Sequence, residues 1–146
     1  MSGHRARVTA LQTLIAGSPL PPNDIQRVIR ELNEVFVAGR VRIPYRRLLL
    51  QVLHSTRALD STLGGLITAS GGAPPNSLGN ALRHLKRTGL NRNRLTETLG
   101  SHYQREIVKP RNTYMHQAGS YPASTAEIAK LLADMQQCLV DAVNLW

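Results

Sequence analysis

Within 146 residues, 42% apolar and 18% charged, there is room for one hydrophobic core, so a single folded domain over residues 1–146 is expected and a disordered chain is excluded. No run approaches the roughly 18 apolar residues of a membrane helix, residues 1–17 lack the apolar stretch of a secretory leader, and the lone Cys138 excludes an internal disulfide or a multi-cysteine zinc site, which together imply a cytoplasmic protein without membrane contact. Eighteen Lys and Arg against nine Asp and Glu leave a net charge of +9, and fifteen of those bases are arginine, whose planar fork grips phosphate at two points, so an anionic partner is implied, nucleic acid first.

Helical periodicity and clear punctuation run the length of the chain, with no strand-like alternation and no internal repeat. Arg5 to Ala16 reads as a first helix, ended by Gly17 and the prolines that follow. Asn23 or Asp24 is placed to cap a second helix, whose stripe of Ile25, Val28, Ile29, Leu32, Val35 and Phe36 ends at Gly39. Pro44 suits the first turn of a third helix, with a broad apolar face from Tyr45 through Leu48, Val52, Leu59 and Leu63 to Ile67. It extends to about Ala69, with a kink or earlier end expected at Gly64 and Gly65. Ser70 to Ser77 is a loop by composition. A short basic helix covers Leu78 to Thr88, ahead of Gly89. The next starts near Asn91 or Asn93 and carries Leu95, Leu99, Tyr103 and Ile107 on one side. Pro110 is expected to break, kink or restart it, with a further turn or two to about Ala118 before Gly119 and Pro122. Ser124 and Glu127 have capping-box spacing, and Ile128, Leu131, Leu132, Met135, Leu139, Ala142, Val143 and Trp146 then keep helical period to the end. The fold class is all-α, a bundle of about five to seven helices.

The reactive groups are few. Cys138 lies beside the apolar stripe of the last helix and reads as a core thiol. His4 falls near a loose terminus, and His54 and His102 sit mid-helix with no evident partner. No nucleophile triad, P-loop or His-Glu-x-x-His pattern is present, and no His, Asp and Glu cluster suggests a metal; no cofactor is expected. The segment KPRNTYMH, residues 109–116, stands apart. Asn112 and His116 are four apart and share a helix face. Arg111 and His116 are five apart, roughly 140° around the axis, so on one helix they are not neighbours, and a curled arginine or a second copy of the chain would have to complete the set. A helix beginning at Pro110 would also leave the Arg111 and Asn112 amides free for an anion. These groups suit phosphodiester cleavage without a metal. The imidazole moves protons near neutral pH, the guanidinium stabilises charge growing on phosphate, and the RNA 2′-hydroxyl is the nucleophile. The segment Arg83 to Arg111 surrounds the motif with eight bases and two acids.

At Arg111-Asn112-x-x-x-His116 the chain resembles the HEPN superfamily (higher eukaryotes and prokaryotes nucleotide-binding). Its members are small α-helical bundles, and its ribonucleases carry an Arg, often with Asn directly after it, then four to six residues and a His. The resemblance implies a metal-independent endoribonuclease of toxin or antiviral-defence type, with a composite site at a homodimer interface. Arg111 would hold the scissile phosphate, Asn112 would orient the site and His116 would transfer protons, leaving a 2′,3′-cyclic phosphate and a 5′-hydroxyl. A neutralising antitoxin or other regulatory partner is implied. Toxins silenced by nucleotide transfer carry a Tyr two residues after the His. Here that position is Ala118, with Tyr121 beyond it, so direct binding or another control takes its place. Some members place an acidic or polar residue on an earlier helix, for which Asp60 is the candidate.

Arg105 and Lys109 flank the motif and are expected to contact RNA phosphates, and Tyr114 is expected either to stack on a base or to pack in a dimer. Arg83, Lys86 and Arg87 form a basic face suited to guiding RNA. Two other readings use the same residues. One is a non-catalytic HEPN-like module that binds RNA or an acidic protein. The other is a DNA-binding helix-turn-helix formed by Leu78 to Thr88 and Arg92 to Tyr103.

Overall fold

The computed structural model describes residues 2–146, with side chains from Arg5 onward. The element order is α1 (Ser2–Ala16), α2 (Pro22–Ala38), α3 (Pro44–Ala69), α4 (Leu78–Arg87), α5 (Glu97–Tyr103), a π-helical turn (Gln104–Val108), α6 (Lys109–His116) and α7 (Thr125–Leu145). Among the described residues there is no strand, only a bridge between Leu90 and Asn93. The all-α bundle expected from periodicity is what forms. The backbone of His4 lies in α1, and its side chain is outside the described residues.

The long α3 is the centre of the bundle, with α2, α4 and α7 packed on it and α1 lying across α2 and α7. One apolar cluster joins Leu11 and Ile15 of α1, Leu32 of α2, Leu59 and Leu63 of α3, Leu82 and Leu85 of α4, Tyr103, Ile107, and Leu132 and Met135 of α7. Burial of these side chains is the main force holding the helices together. Polar residues on α3 reach the core without stranding a donor. The hydroxyls of Ser55, Thr56 and Thr62 each donate to a carbonyl one turn back at 2.7 Å. Gly64 and Gly65 do not interrupt α3. At Gly65 a Cβ would lie 2.5 Å from Leu20 Cδ2, so the missing side chain lets the loop before α2 close onto the helix.

Several local expectations are corrected. Helix α2 starts at Pro22 behind an extended Pro21, so neither Asn23 nor Asp24 is its cap. Residues 88–96 connect α4 to α5 through a turn closed between Leu90 and Asn93, in which Asn91 and Arg92 have positive φ, and α5 begins at Glu97 with the Thr96 hydroxyl accepting from the Leu99 amide at 3.2 Å. The two asparagines expected to open this helix close another instead. Asn93 Nδ2 donates to the Leu145 carbonyl at 2.7 Å and Asn91 Nδ2 to that of Trp146 at 3.3 Å, occupying acceptors at the end of α7. This nine-residue connection also exceeds the short turn a helix-turn-helix needs, so α4 and α5 do not form one.

Pro110 does not end its helix. Residues 97–116 are helical throughout, and the wider π turn just before the proline absorbs its missing donor. The Lys109 amide there reaches back to the Gln104 carbonyl. Since Val108 is itself helical (φ −68°, ψ −48°), the Arg111 and Asn112 amides lie inside a helix and make no open anion site. Helix α6 stops at His116, where Gln117 turns extended, short of Ala118. At α7 the Ser124 hydroxyl accepts from the Glu127 amide at 3.3 Å, while Glu127 Oε2 returns to the amide of Ala123, one residue earlier than a capping box requires.

Candidate functional site

Helix α6 has no fully buried residue and lies on the surface of the bundle. Its inner side is set by Tyr114 and Met115, which pack partly against the core. The helical repeat then turns Lys109, Asn112, Thr113 and His116 outward as one stripe. With Gln104, Val108 and Gln117 they line an open groove of about 430 Å³. Gln104 Nε2 donates to the Gly79 carbonyl at 2.8 Å, which ties the start of α4 to this groove. Lys109, Asn112 and His116 are therefore brought together, and the imidazole and amide share a face as their spacing predicts.

Arg111 points elsewhere. It is half-buried and does not line the groove. Its Nη1 donates to Asn112 Oδ1 at 3.0 Å, leaving the Asn112 amide nitrogen free of that bond. The charge of Arg111 is felt by Asp60 of α3. Protein crowding pushes the Asp60 carboxyl above its ordinary pKa, and the Arg111 charge pulls in the opposite direction. Asp60 is thus within electrostatic reach of Arg111. No hydrogen bond joins Arg111 to His116 within one chain. Asn112 is the group that links the arginine to the groove face.

Two expected RNA contacts are engaged within the protein. Arg105 Nε lies 3.4 Å from Glu106 Oε1 and its Nη2 3.4 Å from His102 Nδ1. Glu106 accepts from Lys130 Nζ at 2.6 Å, Lys130 also reaches Asp134 at 3.1 Å, and Asp134 lies 3.6 Å from His102 Nε2. Lys130, then Arg105, hold the Glu106 carboxyl below its usual pKa, and Glu106 pushes the Lys130 ammonium up. Arg105 belongs to this loop of charges and does not line the groove. Tyr114 faces the opposite cavity, with Val52, Pro110 and Ile128, and donates its phenolic hydrogen to Glu127 Oε2 at 2.9 Å. It packs partly against the core of its own chain. Burial and then the Glu127 bond raise its pKa.

The remaining candidates resolve simply. His54 and His102 both have partners that their local sequence does not reveal. His54 Nδ1 is 2.8 Å from Glu31 Oε1, which also takes Arg57 Nε at 3.2 Å. Cys138 is fully buried, and burial pushes its thiol far above the reactive range, in keeping with a core role. On α4, Lys86 pairs with Glu97 at 3.0 Å and Arg83 Nη1 donates to Asn80 at 2.6 Å. Among the described residues no three His, Cys, Asp or Glu groups gather to hold a metal ion, and no helix is long and apolar enough to cross a membrane. A basic stretch outside the Arg111–His116 motif lies at the α2–α3 junction, where Arg40, Arg42, Arg46 and Arg47 fall within eight residues without an acid. No family model, curated protein or solved structure matches the chain.

Proposed function

We propose that the chain is a metal-independent endoribonuclease acting in the cytoplasm, of the toxin or antiviral-defence type, with its site built on α6 and completed by a second copy of the chain. The observation that carries this reading is the exposed groove in which His116 stands beside Asn112 and Lys109. In the reaction a 2′-hydroxyl attacks the adjacent phosphorus and the 5′-oxygen leaves. An imidazole takes the 2′-proton and another returns a proton to the leaving oxygen. Lys109 and Arg111 offset the charge that builds on the phosphate. Two facing α6 helices would supply both imidazoles and bring the arginine of one copy toward the histidine of the other. The exposed surface of α6 leaves room for that pairing. HEPN membership, a homodimer and a neutralising partner belong to the same proposal.

The test is cleavage of a single-stranded RNA in excess chelator, with the product ends analysed. Wild type is expected to leave 2′,3′-cyclic phosphate and 5′-hydroxyl ends, and His116→Ala and Arg111→Ala to abolish cutting while the fold persists. RNA binding with no cleavage by the wild type would replace this reading with the binding module. That second reading is favoured by one observation, the engagement of Arg111 with Asn112 and not with His116.

A further inference from the structure

The strongest unassigned surface lies where the α2–α3 junction meets the loop between α6 and α7. The sequence from Arg40 to Arg47 reads RVRIPYRR, and no acid occurs anywhere between Glu34 and Asp60. Pro44 starts α3, so Tyr45 and Arg46 stand in its exposed first turn. Arg47 Nη1 folds back to the Val41 carbonyl at 3.1 Å, which fixes the loop that carries Arg40 and Arg42. None of the four arginines has a carboxylate within ion-pair distance among the described residues. From the far side of the chain, Tyr121 is brought against Tyr45. The ring centroids are 5.4 Å apart at a 46° tilt, yet both side chains remain open to solvent, at 45% and 47% exposure. Beside them a cavity of about 460 Å³ is lined by Arg40, Arg47, Gln51 and Thr125.

We propose that Tyr45 and Tyr121, with Arg40, Arg42, Arg46 and Arg47, form a docking surface for single-stranded RNA. Four unneutralised guanidinium groups on a short stretch repel one another until a polyanion lies across them. Each presents a fork that fits a phosphate. The tyrosines between them offer ring faces that an unpaired base can cover and a base within a duplex cannot. A lipid surface would want a broad apolar insertion, and besides the tyrosines only Ile43 and, at the end of α2, Val37 are large exposed apolar side chains here. An acidic protein would leave the two rings without a matching group. Tyr121 is five residues beyond His116, at most about 18 Å along the chain, so one strand can cross the tyrosines and enter the α6 groove. The choice of RNA over other single strands rests on the proposed function.

The test is fluorescence anisotropy with a labelled oligouridylate of about 12 nucleotides, long enough for a single-strand site. His116→Ala protein is used so that the probe stays intact. Tyr45→Ala and Tyr121→Ala are each expected to weaken binding about tenfold, and the Phe variants to restore it. The double variant Arg42→Ala/Arg46→Ala is expected to lower the log–log salt slope by about 1.4. Unchanged binding in the Ala variants overturns the proposal. So does duplex RNA, oligothymidylate or an anionic lipid vesicle binding as tightly as the oligouridylate. Cleavage by wild type is scored separately. Tyrosine-dependent binding without cutting ends the nuclease reading and leaves the docking surface standing. Cutting together with tyrosine-independent binding does the reverse.

Discussion

Tyr114 on α6 donates its phenolic hydrogen to Glu127 Oε2, 2.9 Å away in the first turn of α7. The same carboxylate oxygen takes the Ala123 amide at 3.1 Å, so one group closes the α6–α7 loop and anchors the helix that carries the motif. Hydrogen bonds to a charged acceptor are stronger than neutral ones, but this one is partly open to water. Tyr114→Phe is therefore expected to cost about 1 kcal/mol, read as a lower urea midpoint at unchanged slope. An unchanged midpoint would mean that water replaces the bond at no cost.

Three groups tie stability to alkaline pH. Burial raises the Tyr103 phenol, with its hydrogen bond to Asp141 adding to the effect, and burial also raises Cys138 and Tyr114. A raised pKa means that the folded chain keeps a proton the unfolded chain gives up. The stability each group contributes is full below its unfolded pKa and is lost as pH climbs toward the folded value. Stability should therefore fall from about pH 9 upward, by at most about 1.4 kcal/mol per pH unit for each fully titrating group. Cys138→Ala should make the first part of that fall shallower. A wild-type profile flat to pH 11 would contradict it.

What the sequence made legible follows from how local each cause is. The stripes of α2 and α7 and the core position of Cys138 rest on periodicity, and packing preserves them except at Trp146, which lies just past α7 and is exposed. The angular separation of Arg111 and His116 was equally readable, since five residues on a helix fix it. The course of the chain through Pro110 was not. Its local signal is a helix end, but Ile107 and Val108 before it and Tyr114 after it are all held against the bundle, and a π turn satisfies both sides. Asn91 and Asn93 misled for a similar reason, because their partners at Trp146 and Leu145 lie more than fifty residues away. The arginines of RVRIPYRR were visible as composition. That Tyr121 would come to rest beside Tyr45 required the fold.

Gly89 offers a sharp test of the turn before α5. Its φ is +75°, and a Cβ there would sit 1.8 Å from the Asn93 carbonyl oxygen, which itself accepts from the Leu90 amide. The contact cannot yield cheaply, because the oxygen belongs to the backbone and the Cβ is fixed rigidly to it. Gly89→Ala is expected to destabilise the fold by about 2 kcal/mol or more in urea denaturation. A loss below about 0.5 kcal/mol would show that the turn rearranges freely.

Pro110→Ala asks which force maintains the π turn. A proline inside a regular α-helix costs about 3 kcal/mol, through its missing donor and its clash with the preceding turn. If the proline alone imposed the π turn, alanine would let residues 104–108 relax to α-geometry. Everything beyond would then rotate by about 100°, turning His116 and Asn112 out of their groove and Tyr114 away from Glu127. Packing opposes that rotation, since Ile107 and Val108 are buried ahead of the proline and Tyr114 is anchored beyond it. Packing should win, leaving Pro110→Ala within about 1 kcal/mol of wild type and its α6 amide chemical shifts largely unmoved. A gain near 3 kcal/mol, with new shifts throughout Lys109–His116, would show instead that the proline sets the direction in which the imidazole faces.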